Sequence, residues 1–234
     1  YASLGIFGPN SRKFLTNLVG NYFSKEDFLF ASGKYINFLN TKIWFQRLSF
    51  IGELGWELYI PINKSKKIFN QIEFLGKKYN LCFSGMHTLD MLRLEKKFLH
   101  WGHDITSETN PIEAGLRFAV NLKKKYDFIG RKSIEKVISK PLNKKLELFS
   151  LKNCIVPGKP LLLNDEPLFY KNKIIGHSTS SNYSFNYKKN IFLAYVKADL
   201  NIIKELTIEV EGKKYELNHE VECLHDPTGK ILRN

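Results

Sequence analysis

The chain has 234 residues, enough for one large or two small domains around an ample core. With 43% hydrophobic and 14% aromatic residues it has an ordinary globular composition. No apolar run approaches the ~20 residues that cross a bilayer, so no membrane partner is expected. The net charge of +13 invites a nucleic-acid partner. The lysines argue against one, because they lie scattered in short runs (64–67, 77–78, 123–125, 144–145, 188–189, 213–214), mostly in turns, with no arginine-rich helix beside them. Such a field still suits an anionic small ligand. Cys82, Cys154 and Cys223 are widely spaced and form no Cys-x-x-Cys, which fits a reducing, cytoplasmic setting without a disulfide framework.

Residues 2–7 read as a strand running into Gly8-Pro9, directly from Tyr1, so the chain is expected to be a piece of a longer protein. Ser11 is placed to cap a helix over 12–19, and Ser24 to cap a helix over 25–28 in the same way. Two strands, 35–39 and 41–50, flank a turn at Asn40. Apolar Ile68, Phe69, Ile72 and Leu75 make a helical stripe within 64–79. A second helix opens at Ser84 or Gly85 and runs to about Phe98, with Lys96 and Lys97 complementing its dipole. The polar stretch 101–111 lacks alternation and reads as a functional loop. A further helix spans 133–139, and Pro141-Leu142-Asn143 reads as a domain boundary. Beyond it, short apolar runs at 146–151, 161–163, 167–170, 173–178, 191–196, 206–210 and 214–217 predict a small antiparallel barrel or sandwich. Asn164-Asp165 and Glu211-Gly212 are its expected hairpin tips. The chain thus divides into an α+β region, 1–141, and a β region, 142–234.

The most informative stretch is Phe50-Ile51-Gly52-Glu53-Leu54-Gly55-Trp56-Glu57-Leu58-Tyr59-Ile60-Pro61. A turn with two glycines runs into Glu57-Leu58-Tyr59-Ile60, which alternates like a half-buried strand. Gly52 and Gly55 permit a sharp bend and close approach to a flat ligand. A carboxylate fixed at the strand's start can then grip a ring edge carrying adjacent N–H donors. The same residues also make a plain hairpin turn whose carboxylates meet water, and both readings stand at this point. His100 and His103 form the one close histidine pair, without further ligands in view, so no metal is expected.

Several segments, in order, resemble the folate-dependent aminomethyltransferase (glycine-cleavage T-protein) superfamily. They are Ser3-Leu4-Gly5-Ile6-Phe7-Gly8-Pro9-Asn10-Ser11, the block just described, Leu92-Arg93-Leu94-Glu95-Lys96 and Trp101-Gly102-His103-Asp104-Ile105-Thr106. Pro111-Ile112-Glu113-Ala114-Gly115-Leu116, Phe128-Ile129-Gly130-Arg131 and Asp226-Pro227-Thr228-Gly229 continue the series. Within the superfamily the chain is most similar to the C-terminal region of dimethylglycine and sarcosine dehydrogenases, for Leu89 stands where T-proteins tend to carry arginine.

The resemblance implies part of a folate domain followed by a compact β-barrel, with an FAD domain upstream. It implies tetrahydrofolate and a methylated amine as partners, with a one-carbon unit passed to tetrahydrofolate held between folate domain and barrel. Glu57 would bind the pterin, with Phe50, Tyr59 and Trp101 as further candidates in the cofactor site. Phe50 stands where relatives usually have tyrosine. Arg93 is expected to pair with a buried carboxylate, Glu113 being the nearest choice, while Asp104 caps its loop. No catalytic residue is assigned, because the family's aspartate belongs to an earlier region. A T-protein or folate-dependent demethylase, or a non-enzymatic folate-binding module, are the alternatives.

Overall fold

A computed structural model describes residues 1–157, 159, 162–198 and 205–234. In chain order its elements are β1 (Ala2–Phe7), α1 (Ser11–Val19), β2 (Gly33–Phe38), β3 (Thr41–Gln46), β4 (Gly55–Ile60), α2 (Ile62–Gly76) and α3 (Met86–Glu95). Then follow α4 (Arg131–Ile138), β5 (Lys144–Leu151), β6 (Pro167–Tyr170), β7 (Lys173–Ser184), β8 (Lys189–Lys197), β9 (Thr207–Val210), β10 (Lys213–Glu220) and α5 (Lys230–Arg233). They pack as two units: Tyr1–Leu89 with His225–Asn234, and Asp90–Leu224. Residues 90–141 therefore pack with the barrel strands, and 225–234 with the first unit.

The first unit is a four-stranded antiparallel sheet in the order β1-β4-β3-β2. Alternation sends Ile6, Ile36, Ile43, Phe45, Trp56, Leu58 and Ile60 to one face. There they meet Phe14, Leu15 and Leu18 of α1 and Ile68 and Ile72 of α2. Each such side chain contributes about 1.5–3 kcal/mol by leaving water. Leu39 and Asn40 join β2 to β3 with φ of 50° and 58°, the pair of left-handed residues that a two-residue hairpin of matching twist requires.

Several sequence expectations are corrected here. Ser11 does not cap α1, because its Oγ donates to the Leu54 carbonyl at 3.2 Å and ties the helix to the loop before β4. Ser24 does cap its turn, accepting from the Asp27 N–H at 2.9 Å, yet no helix follows. β3 stops at Gln46 instead of Phe50, since Arg47 turns inward and its backbone bonds to Ala31 and Ser32. α3 stops at Glu95, where Lys97 adopts a left-handed φ of 58° and the Phe98 N–H closes back on the Arg93 carbonyl.

The second unit holds a closed antiparallel barrel, β10-β5-β8-β7-β6-β9. Its interior includes Phe149, Leu151, Leu168, Phe192, Ala194, Val196, Ile208 and Leu217. Leu146, Leu148, Ile191 and Leu193 point outward from β5 and β8 and are covered by Leu94 of α3. Both faces of these two strands are buried, which explains their nearly unbroken apolar runs. Glu211-Gly212 forms the expected tip, but Asn164-Asp165 joins no paired strands. The hairpin between β6 and β7 turns instead on Lys171 and Asn172, both left-handed. Leu161 of the expected strand 161–163 lies outside the described residues, while Leu162 and Leu163 are in no strand.

Candidate functional site

The outer face of the first sheet carries two adjacent rows of side chains. Register places Gly5, Glu57, Gln46 and Gly33 in one row across the four strands, and Ser3, Tyr59, Trp44 and Tyr35 in the next. The glycines in the first row make room for rings. A Cβ on Gly5 would lie 2.2 Å from the Phe7 ring, and one on Gly33 would lie 2.1 Å from the Trp44 ring. Phe7 and Trp44 therefore flank the Glu57–Gln46 pair, giving a half-buried polar strip between two aromatic side chains.

The strip is held from both sides of the sheet. Tyr59 Oη donates to Glu57 Oε2 at 2.7 Å, and that bond, with burial and the carboxylate's charge, raises the phenol's pKa. Trp44 Nε1 donates to Gln46 Oε1 at 3.4 Å, and Trp44 meets Tyr35 edge-on with centroids 4.9 Å apart. Behind the sheet, the neighbouring residues Arg47 and Trp56 point inward. Trp56 is fully buried against Phe23 and Phe28, and the Arg47 guanidinium lies 5.7 Å from its ring. Arg47 also donates to the Phe28 carbonyl at 2.6 Å and to the carbonyls of Arg233 and Asn234 at the end of α5. Slipping either strand by one residue would bring this cation and indole to the surface, so their burial fixes Glu57 and Gln46 outward.

Among the residues anticipated from sequence, the structure thus joins Glu57 to Tyr59. Phe50 is half-buried in the turn after β3 and belongs to neither row. Glu53, the other carboxylate of the block, pairs with His225 Nε2 at 2.9 Å. Gly52 takes φ +81°, while Gly55 serves close approach: a Cβ there would meet the Phe7 ring at 2.2 Å. Sequence reasoning missed Gln46 and Trp44. The alternation Lys42, Trp44, Gln46 was the available signal, hidden by reading 41–50 as one strand.

Trp101 lies in the second unit, 68% exposed, and its backbone is bridged to Ile105. The loop around it is anchored by Asp104. This buried carboxylate accepts from Arg93 Nη1 at 2.6 Å, the His100 N–H at 2.8 Å and Thr179 Oγ1 at 2.6 Å. Arg93 pairs with Asp90 as well, and not with Glu113. Glu113 instead has its backbone N–H and carbonyl engaged by Asn110 and Leu146. Glu95 accepts from Ser184 Oγ at 2.6 Å and Asn186 Nδ2 at 2.9 Å, a structural bond to β7. Burial pushes the Tyr195 phenol up to about 12, and its hydroxyl donates to the Asp104 carbonyl at 3.0 Å. The His100 and His103 rings lie 4.7 Å apart. Among the described residues no group of three or more His, Cys, Asp or Glu is placed to hold a metal.

Comparison with known proteins places this architecture. The GCVT N-terminal domain family matches residues 1–124, and the glycine cleavage T-protein C-terminal barrel domain matches 147–225. The chain belongs to the glycine-cleavage T-protein superfamily. It is 33% identical to human dimethylglycine dehydrogenase over 98% of its own length and 26% of that protein's. It is 32% identical to the aminomethyltransferase of Halothermothrix orenii, covering 85% of this chain and 54% of that one. The aminomethyltransferase T of the Bartonella henselae glycine cleavage system shares the fold, with TM-score 0.82 at 22% identity over 96% of this chain and 60% of the other. The chain therefore spans about a quarter of the length of the dimethylglycine dehydrogenase it matches.

Proposed function

We propose that this chain is the tetrahydrofolate-binding part of an FAD-dependent N-methyl amine dehydrogenase of the dimethylglycine and sarcosine type. Residues 1–141 would serve as the folate domain and 142–234 as its accompanying barrel. The observation that carries the reading is the Glu57 carboxylate. One oxygen is fixed by Tyr59, and Oε1 has no partner among the described residues, on a half-buried face beside aromatic rings. That arrangement fits the flat edge of a pterin, which offers two adjacent N–H donors to a carboxylate. The similarity to dimethylglycine dehydrogenase supports the dehydrogenase setting.

Bound tetrahydrofolate supplies the amines that take up a one-carbon unit. The chain's own share is positional. Glu57 orients the heterocycle, Tyr59 holds the carboxylate in one rotamer, and the neighbouring rings displace water from the polar contact. Surface lysines add long-range attraction for an anionic glutamate tail.

Calorimetric titration with tetrahydrofolate tests the reading. Glu57→Gln is expected to weaken binding by roughly 10–100-fold, the loss typical of a charge-assisted hydrogen bond, and Tyr59→Phe by roughly tenfold or less. An unchanged dissociation constant in Glu57→Gln rejects the site. The similarity to aminomethyltransferase supports a second reading, a flavin-independent one-carbon transferase. Turnover of methylated glycines by the longer protein separates the two.

A further inference from the structure

The residue opposite Glu57 has a chemistry of its own. Gln46 is Glu57's direct cross-strand partner, and both emerge between the Phe7 and Trp44 rings. Indole N–H only donates, so the atom that meets Trp44 Nε1 is the carbonyl oxygen of the Gln46 amide. The amide's orientation is thereby set, and its NH2 group has no partner among the described residues. Directly opposed side chains stand about 4.5–5.5 Å apart at Cβ, within the span of one heterocycle edge. The strip therefore offers two hydrogens from Gln46 beside the Glu57 carboxylate, whose Oε2 is held by Tyr59 and whose Oε1 has no partner among the described residues.

The pyrimidinone edge of a 4-oxo pterin carries the complementary series: a carbonyl oxygen at C4, then N3–H, then the 2-amino group. We infer that Gln46 is a specificity-determining residue, its amide donating to the ligand's O4 while Glu57 accepts from N3–H and the 2-amino group. This rests on the folate reading of the same face and adds a selectivity to it: the site takes 4-oxo pterins and rejects 2,4-diamino pteridines. In those analogues a 4-amino group points its hydrogens at the Gln46 NH2, and N3 presents a lone pair to the carboxylate. Buried donors facing donors leave both sides unsatisfied, which is how a hydrogen-bonding site discriminates most strongly.

The test is calorimetric titration of the chain with tetrahydrofolate and with tetrahydroaminopterin, its 4-amino counterpart. The unmodified chain is expected to favour the 4-oxo ligand by about tenfold or more. Gln46→Met keeps the volume and removes the donor, and is expected to reduce that preference to about threefold or less, mainly by weakening the 4-oxo ligand. Gln46→Glu supplies an acceptor and is expected to bring the two ligands level or reverse their order. Because Gln46→Glu sets two carboxylates face to face, circular dichroism of that variant accompanies the titration, and Gln46→Met decides alone if it unfolds. A ligand ratio unchanged in Gln46→Met, while Glu57→Gln still weakens tetrahydrofolate, overturns the role of Gln46 and leaves the folate site standing. Binding that is indifferent to Glu57→Gln overturns both.

Discussion

Asp104 shows how one buried carboxylate organises a loop that has no regular structure. Its two oxygens take a guanidinium, a backbone N–H and a hydroxyl, and its own carbonyl receives the Tyr195 hydroxyl. Arg93 is 1% exposed, so removing Asp104 leaves a buried cation with Asp90, one-third exposed, as its remaining carboxylate. Asp104→Ala is expected to lower stability by about 3–5 kcal/mol in urea unfolding followed by circular dichroism. Asp104→Asn, which still accepts hydrogen bonds, is expected to cost less, and equal losses would count against the charge pairing. The sequence made a paired, buried Arg93 legible through Leu-Arg-Leu-Glu. The partner was not legible, because the loop that returns Asp104 beneath α3 carries no periodicity to reveal its path. Glu57 was legible for the opposite reason: it sits in an alternating strand next to a turn whose glycines announce it. Gln46 was not, since a glutamine in a strand is usually only a solvated residue, and its meaning arises from the register with β4.

Among the elements, the strands on either side of Lys171-Asn172 were legible as apolar runs, and the backbone does turn between them. The tip itself was not, because the Asn-Asp pair at Asn164-Asp165 is a stronger turn signal than a lysine at the left-handed corner that Lys171 occupies. β7 itself is longer than its sequence suggests because Ser178, Thr179, Ser180 and Ser181 look like a loop. They remain in strand because Glu166, Asp104 and Arg93 bond three of their hydroxyls. The same strand contains a tight point at Gly176, where a Cβ would stand 2.0 Å from the Tyr195 carbonyl of β8. Backbone meets backbone there, so no side chain can swing aside. Gly176→Ala is expected to destabilise by about 1–3 kcal/mol and to lower Tm by several degrees in calorimetry. Gly85→Ala, where a Cβ meets nothing within 4 Å, is the control and is expected to stay near the parent value. A Gly176 variant as stable as the control would mean that the β7–β8 contact relaxes freely.

At the scale of the whole molecule the charge is unevenly laid out. Residues 115–145 include no buried residue, yet they carry ten of the lysines and arginines and only two acidic residues. α4 lies within this stretch, steadied by Arg131 Nη2 donating to the Leu122 carbonyl at 2.8 Å. Such a segment opens at little cost, since few apolar contacts must break. Brief trypsin digestion is therefore expected to cut first between Arg117 and Lys145, with mass spectrometry locating the sites. First cuts within 64–78, where Ile68 and Ile72 anchor α2 in the core, would contradict this ordering. The change of texture near Pro141 was visible in the sequence. How 90–141 packs was not, because that depends on ion pairs and side-chain bonds that join distant residues.

The three indoles of this chain sit at graded depths. Trp56 is sealed, Trp44 lines the polar strip, and Trp101 stands 68% in solvent. Iodide should therefore extinguish the emission of one fluorophore readily, a second partly and the third hardly at all. A molecule settling on the strip would shield the middle one, whose quenching therefore gauges occupancy of that face.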